Sequence, residues 1–471
     1  MNKFKRPNIL FIYTDQMRFD ALSCNNSSSP IETKNIDSIA HNGINFKQCY
    51  TQSPICGPSR ASFLSGLYPS ANGIGTNGIS YNEKFDPIWK TMKPYGYETA
   101  QIGKLHFQSH ARRDHRNMPN TYGFDRAIIS DEPGCYDDCY TKWVECIDDK
   151  QLPLIRTQLP PAAGHWGNKP NYSDVPRNTH EPYIFEGEDS FTHSKFVSSE
   201  SVRFLKERDK NKPFFAIAGF YAPHPPINPP KSCLNRVDLS KIIPPHVGDE
   251  DDIMDELKDL SDDDWIKIKS YYLALTLHVD DCVGEILGEL KDQGIEENTL
   301  IVFTSDHGEY LGDHSRIQKG MPGYDCITHV PLLMSYPHKI PRGIEREGLV
   351  EAIDVSSTIL DYSAIQAPLD MMGKSLRSLI NNKSVHHRDS VLTQHFTPYG
   401  IRETRIRTEK FSYYASNKNK ELLFDLEIDP HELKNVASNQ RYSSTLSSMR
   451  YKMLIRIMDS SCANTEMEAE Y

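Results

Sequence analysis

Two acid-bearing segments of this chain sit where an apolar run gives out. Thr14-Asp15-Gln16, with Arg18 and Asp20 just beyond, follows Asn8 to Tyr13, and Thr304-Ser305-Asp306-His307-Gly308-Glu309 follows Thr299 to Phe303. An Asp followed at once by another donor, twice over, can converge on one divalent cation. Asp15 and Asp306 would supply carboxylate oxygens, Gln16 an amide oxygen and His307 an imidazole nitrogen. A mostly-oxygen set favours a hard ion such as calcium or magnesium, and the histidine leaves manganese open. Taken singly, each pair could equally cap the turn that follows it.

Two further segments carry chemistry. In Pro54-Ile55-Cys56-Gly57-Pro58-Ser59-Arg60-Ala61-Ser62-Phe63-Leu64-Ser65-Gly66, Pro58 fixes the backbone entering a helix. Cys56 would lie just ahead of that helix N-terminus, where backbone amides and the dipole favour an anion. Arg60, one turn on, could reach the same anion. In Lys104-Leu105-His106, residues two apart on a strand face the same side. Lys104 and His106 would then point into one site, as a fixed cation and a proton carrier. His224, in a Pro-rich turn, and Lys319 would in isolation be an ordinary loop histidine and a solvated surface charge.

These groups need a scaffold. Residues 8–14, 97–102, 213–220, 299–305 and 330–336 read as buried parallel strands, each followed by a helical stretch. The strongest helix is 264–292, where Ile266, Ile268, Tyr272, Leu275, Val279, Val283, Ile286 and Leu290 recur mostly at steps of three or four, with Gly294 suited to its end. This predicts an α/β fold: a large mixed, mostly parallel sheet sandwiched by helices, with functional residues beyond the carboxyl ends of the strands. Residues 108–190 and 225–262 read as long pocket-shaping loops. After residue 384 the pattern changes to antiparallel strands at 389–396, 402–415 and 420–426 and a helix near 440–458. The expected division is a catalytic domain over 1–384 and a smaller C-terminal α+β domain over 385–471.

Composition narrows the function classes. The chain has 471 residues, with 53 Lys and Arg against 64 Asp and Glu, a net charge of −11. That balance argues against a nucleic-acid partner. No run approaches the about 18 apolar residues that span a bilayer, so no membrane is expected. The start lacks a secretory leader, which predicts a cytoplasmic protein, or a periplasmic or secreted one if a leader has been removed. Cys135, Cys139 and Cys146 lack a matching zinc-ligand pair and read as free thiols.

With these strings in hand, the chain resembles the formylglycine-dependent (type I) sulfatases of the alkaline phosphatase superfamily. The likeness rests on Pro7 to Gln16, the Cys56-Gly57-Pro58-Ser59-Arg60 string, Gly103-Lys104-Leu105-His106, Ala222-Pro223-His224-Pro225-Pro226, Thr304 to Glu309, Lys319-Gly320, Glu421 to Leu426 and Asp429-Pro430-His431-Glu432. It implies that Cys56 is oxidised to formylglycine by a maturation enzyme. One hydroxyl of the hydrated aldehyde would attack sulfur, and His224 or Lys319 would protonate the leaving alcohol. His106 would take the proton of the second hydroxyl, whose collapse expels sulfate. The cation, held by Asp15, Gln16, Asp306, His307 and position 56, would share the sulfuryl charge with Arg60, Lys104 and Lys319. Calcium is the expected ion, with manganese or magnesium as runners-up.

Asp15-Gln16 with Asp306-His307 also resembles the related phosphonate monoester and choline-sulfate hydrolases, which makes phosphonate or phosphate ester hydrolysis the nearest alternative. A non-catalytic glycan-binding protein is the rival from another class. The charged and aromatic residues His165, Trp166, His180, His193, Arg316, His329 and Arg402 could line a pocket. They suit a carbohydrate sulfate or another small sulfated alcohol, and the expected lack of a secretory leader suits a small imported fragment better than an intact polymer. Oligomeric state has no signal in the sequence.

Overall fold

Alternation along the first strand decides how the large sheet is covered. In β1 (Asn8–Asp15), Ile9, Phe11 and Tyr13 enter one hydrophobic cluster while Leu10 and Ile12 enter another on the opposite face. The computed structural model describes residues 6–81, 85–108, 121–159, 173–382 and 385–461. On one face Phe63 and Leu64 of the helix Cys56–Ser65 pack with Val355, Ile359 and Leu360 of the helix Asp354–Tyr362. The other face takes Phe196, Val197 and Phe204 of the helix His193–Glu207 and Tyr272, Val279, Val283 and Ile286 of the helix Asp262–Asp292. Each such side chain, fully buried, stabilises the fold by about 1.5–3 kcal/mol.

The remaining strands are β2 (Ile44–Phe46), β3 (Cys49–Tyr50), β4 (Glu98–Gly103), β5 (Arg126–Ile129), β6 (Phe214–Pro223), β7 (Thr299–Ser305), β8 (Leu332–Ser335), β9 (Ile344–Arg346) and β10 (Val350–Glu351). Seven of them join β1 in one mixed sheet of order β5-β4-β6-β1-β7-β8-β2-β9, and β10 pairs with β3. β1 lies between β6 and β7 and runs parallel to both, with Tyr13 beside Gly219 and Thr14 beside Ser305. The strand expected over 330–336 does not run parallel: β8 is antiparallel to both β7 and β2. A parallel strand would require the chain to cross a face of the sheet and return to its far end. Residues 306–331 make no such crossover. They hold only the short helical turns Asp313–Ser315 and Asp325–Thr328, and the chain re-enters the sheet from the end it left.

The long helix begins at Asp262, two residues before the expected start, because Ser261 and Asp264 form a reciprocal capping box. Gly294, at φ 64°, follows its end. The described part of the 108–190 region is not all loop: Asp138 and Thr141 cap a helix over Cys139–Ile147. No helix among the described residues is long and apolar enough to cross a membrane.

Near the C-terminus, β11 (Val391–Phe396), β12 (Arg402–Arg407), β13 (Phe411–Ser416) and β14 (Glu421–Asp425) make an antiparallel meander, covered by the helix Ser443–Ser461. The single strand expected over 402–415 is broken in two. Thr408 accepts the Phe411 N–H on its hydroxyl at 3.0 Å and turns the chain. Arg405 pairs with Glu432 within this part at 2.7 Å and ties the sheet to the loop between β7 and β8 through Asp325 at 2.6 Å.

Candidate active site

The pairing of β1 with β7 sets Asp15 and Asp306 side by side at two adjacent carboxyl ends. Gln16 turns the chain away from β1 in the left-handed region, at φ 69°. Its N–H and that of His307 both donate to Asp306 Oδ1, at 3.0 and 2.9 Å. Cys56 is the first residue of its helix rather than the residue ahead of it, with Ile55 as an extended N-cap lacking a side-chain cap. The thiol lies 3.7 Å from Asp15 Oδ1, 3.2 Å from His307 Nε2 and 2.8 Å from Lys319 Nζ. Ligand atoms of Asp15, Cys56, Asp306 and His307, all buried, fall within 4.8 Å of one another, the one such group among the described residues. His307 Nδ1 donates to the Gly308 carbonyl at 2.8 Å, which directs Nε2 at the cluster. Two carboxylates, an imidazole and position 56 thus form a donor set that fits a hard divalent cation.

Cations surround the two carboxylates. Lys104 Nζ lies 2.7 Å from Asp15 Oδ2. Arg60 is fully buried, and four of its five N–H groups have acceptors in the protein. Nε donates to Asp306 Oδ2 at 2.8 Å, Nη2 to Asp15 Oδ2 at 3.2 Å and to the Thr14 carbonyl, and Nη1 to the Lys104 carbonyl. The guanidinium expected to reach an anion is thus spent on the acids and on two main-chain carbonyls. Burial alone would raise the Asp15 carboxyl; Lys104, Lys319 and Arg60 outweigh it and hold it well below the usual range. Burial and Asp15 push the Cys56 thiol up, but Lys319, Lys104 and His307 bring it below its ordinary value.

The spacing predicts a shared strand face for Lys104 and His106, and the structure does not have one. β4 ends at Gly103, whose φ of 84° and close approach to Gly219 end the strand there; a Cβ on Gly103 would lie 2.1 Å from the Gly219 carbonyl. His106 sits at φ 62°, and the Leu105 and His106 N–H groups both donate to Asp131 Oδ1 at 2.8 Å. Lys104 thereby enters the carboxylate cluster, while the His106 main chain passes beside Gly57. His224 Nδ1 bonds the Pro225 carbonyl at 2.7 Å, and burial with the nearby Lys319 and Lys104 keeps its ring neutral.

One residue that the sequence reading quoted but gave no role stands out. Glu309 is fully buried beside Gln16, whose Nε2 donates to Glu309 Oε2. Burial pushes its carboxyl up to about 7. The only signal in the sequence was its place in the Asp306 string. Of the other pocket candidates, His193 is half-buried against the rings of Tyr140, Phe196 and Tyr221 and, with His224, lines a small cavity beside the site. His329 stacks on Phe19 and Tyr50 and bonds the Lys47 carbonyl at 2.8 Å. Arg402 donates to the Thr397 and Ile401 carbonyls. Neither is directed at the Cys56 cluster. His180 and Arg316 are half-buried in loops, and His165 and Trp166 lie outside the described residues.

A mixed, mostly parallel sheet with acids, an imidazole and a helix-borne cysteine meeting at its strand ends defines a hydrolase of the alkaline phosphatase superfamily. Residues 7–365 match the sulfatase family, and residues 312–458 match the C-terminal region of N-sulphoglucosamine sulphohydrolase. The chain belongs to the sulfatase family and is a sulfuric ester hydrolase. It is 30% identical to an arylsulfatase of Clostridium perfringens over 96% of this chain and 95% of that protein. It is 27% identical to an N-acetylglucosamine-6-O-sulfatase of Bacteroides thetaiotaomicron over 93% of this chain and 84% of that one. A phosphonate monoester hydrolase of Agrobacterium radiobacter shares the fold, with a TM-score of 0.79 at 24% identity and 96% of each chain covered.

Proposed function

We propose that this sulfatase removes sulfate from a carbohydrate through a formylglycine made from Cys56, with one divalent cation, calcium by preference, held by Asp15, Gln16, Asp306, His307 and position 56. The observation that carries this reading is the meeting of the Cys56 thiol with three metal-binding side chains at the helix N-terminus, within 4.8 Å. When bound, the cation supplies positive charge to the sulfuryl oxygens and to the nucleophile, and the aldehyde hydrate supplies the attacking and collapsing hydroxyls.

The chain's own groups do the rest. Arg60 and Lys104 hold Asp15, and Arg60 holds Asp306, so the donor atoms are set before substrate arrives. Lys319, 2.8 Å from the Cys56 sulfur, carries a proton at ordinary pH and is the better-placed acid for the leaving oxygen. His224, held neutral, accepts a hydrogen bond from substrate at Nε2 until the bound anion raises its proton affinity. His106 serves the second hydroxyl. The carbohydrate assignment draws support from the N-acetylglucosamine-6-O-sulfatase relative and from the match to the N-sulphoglucosamine sulphohydrolase C-terminal region. We assign the catalytic part to residues 1–384 and the smaller C-terminal part to 385–471, and place no nucleic acid or membrane among the partners.

A panel of sulfated mono- and disaccharides, assayed for sulfate release with protein of known intact mass, tests the proposal. Formylglycine at position 56 lowers the mass by about 18 Da relative to cysteine. The expected result is release from at least one sugar by the modified protein and none by Cys56→Ala. Near-normal turnover by Cys56→Ala overturns the nucleophile. A higher kcat/KM on an aryl phosphonate than on the matched aryl sulfate and every sugar overturns the substrate class.

A further inference from the structure

We infer that Glu309 decides which end of the Gln16 amide faces the cation, and so makes residue 16 an oxygen donor. The inference rests on the metal site proposed above and concerns a residue outside the ligand cluster. A carboxamide is nearly symmetric in shape, so packing alone does not choose between its oxygen and its nitrogen. Here two neighbours choose. Glu309 Oε1 accepts the N–H groups of Leu311, at 3.1 Å, and of Gln318. Its Oε2 accepts Gln16 Nε2. On the far side, Gln16 Oε1 accepts from Lys319 Nζ at 3.1 Å, and the same ammonium reaches the Cys56 sulfur.

A carboxylate only accepts and an ammonium only donates. The amide is therefore polarised from both sides: nitrogen to Glu309, oxygen to Lys319 and the cation. The Gln16 backbone is also held, by its N–H on Asp306 and by the Tyr272 hydroxyl on its carbonyl at 2.8 Å, so the amide flip is the freedom that remains. A flipped amide would turn an N–H toward Lys319 and a divalent cation, and an oxygen toward a carboxylate. Even a proton on Glu309 leaves Lys319 demanding the oxygen. Glu309 is a positioning residue: it touches neither substrate nor ion.

The geometry supplies a sharp perturbation. In Glu309→Gln, Oε1 still accepts the Leu311 and Gln318 N–H groups, so the loop that carries Lys319 keeps its anchor. The group facing Gln16 becomes an N–H donor, so Gln16 either turns its oxygen inward and its nitrogen toward the cation, or keeps its oxygen on Lys319 and the cation with two N–H groups opposed at residue 309. Gln16→Glu in that background restores an acceptor toward residue 309 and leaves an oxygen for the ion.

The test is calcium titration of chelator-stripped full-length protein by calorimetry, for wild type, E309Q, Q16E, the Q16E/E309Q double variant and D306N. The expected result is at least a tenfold loss of calcium affinity in E309Q, and a gain from Q16E that is at least tenfold larger in the E309Q background than in wild type. Additive effects of the two substitutions overturn the inference, as does an E309Q affinity equal to wild type. If E309Q fails to fold, the double variant must fold and bind calcium, and its failure to do so also overturns it. D306N separates the two levels: unchanged calcium binding there sinks the metal site itself, whereas lost binding there with additive E309Q and Q16E effects sinks only the role of Glu309.

Discussion

Arg60→Met is expected to destabilise the protein by about 4 kcal/mol when the cation is stripped, and by clearly less when calcium is saturating. The figure follows from what each acid keeps. Asp15 Oδ2 retains Lys104 at 2.7 Å. Asp306 Oδ1 retains the Gln16 and His307 N–H groups, but Oδ2 has Arg60 as its partner at 2.8 Å and is fully buried. Removing one member of a buried pair costs about 3–5 kcal/mol, because the other charge is left uncompensated. Losing the Thr14 and Lys104 carbonyl bonds adds to this, and the methionine's apolar contacts offset part of it. With about 2.1 cal/mol/K of unfolding entropy per residue, a chain of 471 residues loses about 1 °C of Tm per kcal/mol. Calorimetry of wild type and variant, each in chelator and in excess calcium, should show a drop of about 4 °C in chelator that shrinks in calcium, because the ion replaces the missing positive charge beside Asp306. Tm values within 1 °C in chelator would refute the reasoning. So would a tenfold rise in KM without a calcium-dependent stability loss, which would put the guanidinium on the substrate anion instead.

Three further outcomes are expected. Stripping the cation should abolish sulfate release and lower Tm by about 3 °C relative to protein at a hundredfold excess over Kd, with recovery on adding calcium; recovery without any divalent ion would exclude the site. His278 is buried and His193 and His329 are half-buried; desolvation holds His193, His278 and His329 neutral down to about 3, 4 and 4. The unfolded chain takes up these protons below about pH 6.5 and the folded chain does not, so stability is lost as pH falls from 6.5 toward 4, by about 1.4 kcal/mol per pH unit per histidine. His278→Gln should flatten the pH dependence of the urea midpoint by one such proton, and an unchanged slope would refute the assignment. Gly103→Ala, which drives a Cβ into the Gly219 carbonyl at φ 84°, should shift Lys104 off Asp15 and cut kcat/KM by at least tenfold; wild-type activity would show that the strand end does not set the lysine.

Much of the scaffold was legible because its signals are local. The run Thr299 to Ser305 is a strand with the bounds expected, and the long helix differs from its sequence reading only at a cap. The direction of β8 was not legible, since an apolar run reads the same whichever way it enters the sheet. What decides it is where the preceding 26 residues stay, and they stay at the site. The helix Cys139–Ile147 was hidden by its surroundings of Pro, Asn, Asp and Gly, although Asp138 and Thr141 form its capping box.

For the site, residue types and their neighbours along the chain were enough to pick out side chains that meet: Asp15 ends a strand, Asp306 and His307 follow one, and Cys56 opens a helix. Which atoms those side chains spend on one another was decided only in three dimensions. Arg60 looked like an anion contact and is bound to two acids; Lys104 and His106 looked like strand neighbours and are parted by a positive-φ turn; Gln16 meets Glu309 across 293 positions. The physical reason is that strand and helix signals arise from periods of a few residues, whereas a hydrogen-bond partner is set by the register of strands distant in sequence. That register is fixed only when both faces of the sheet are packed.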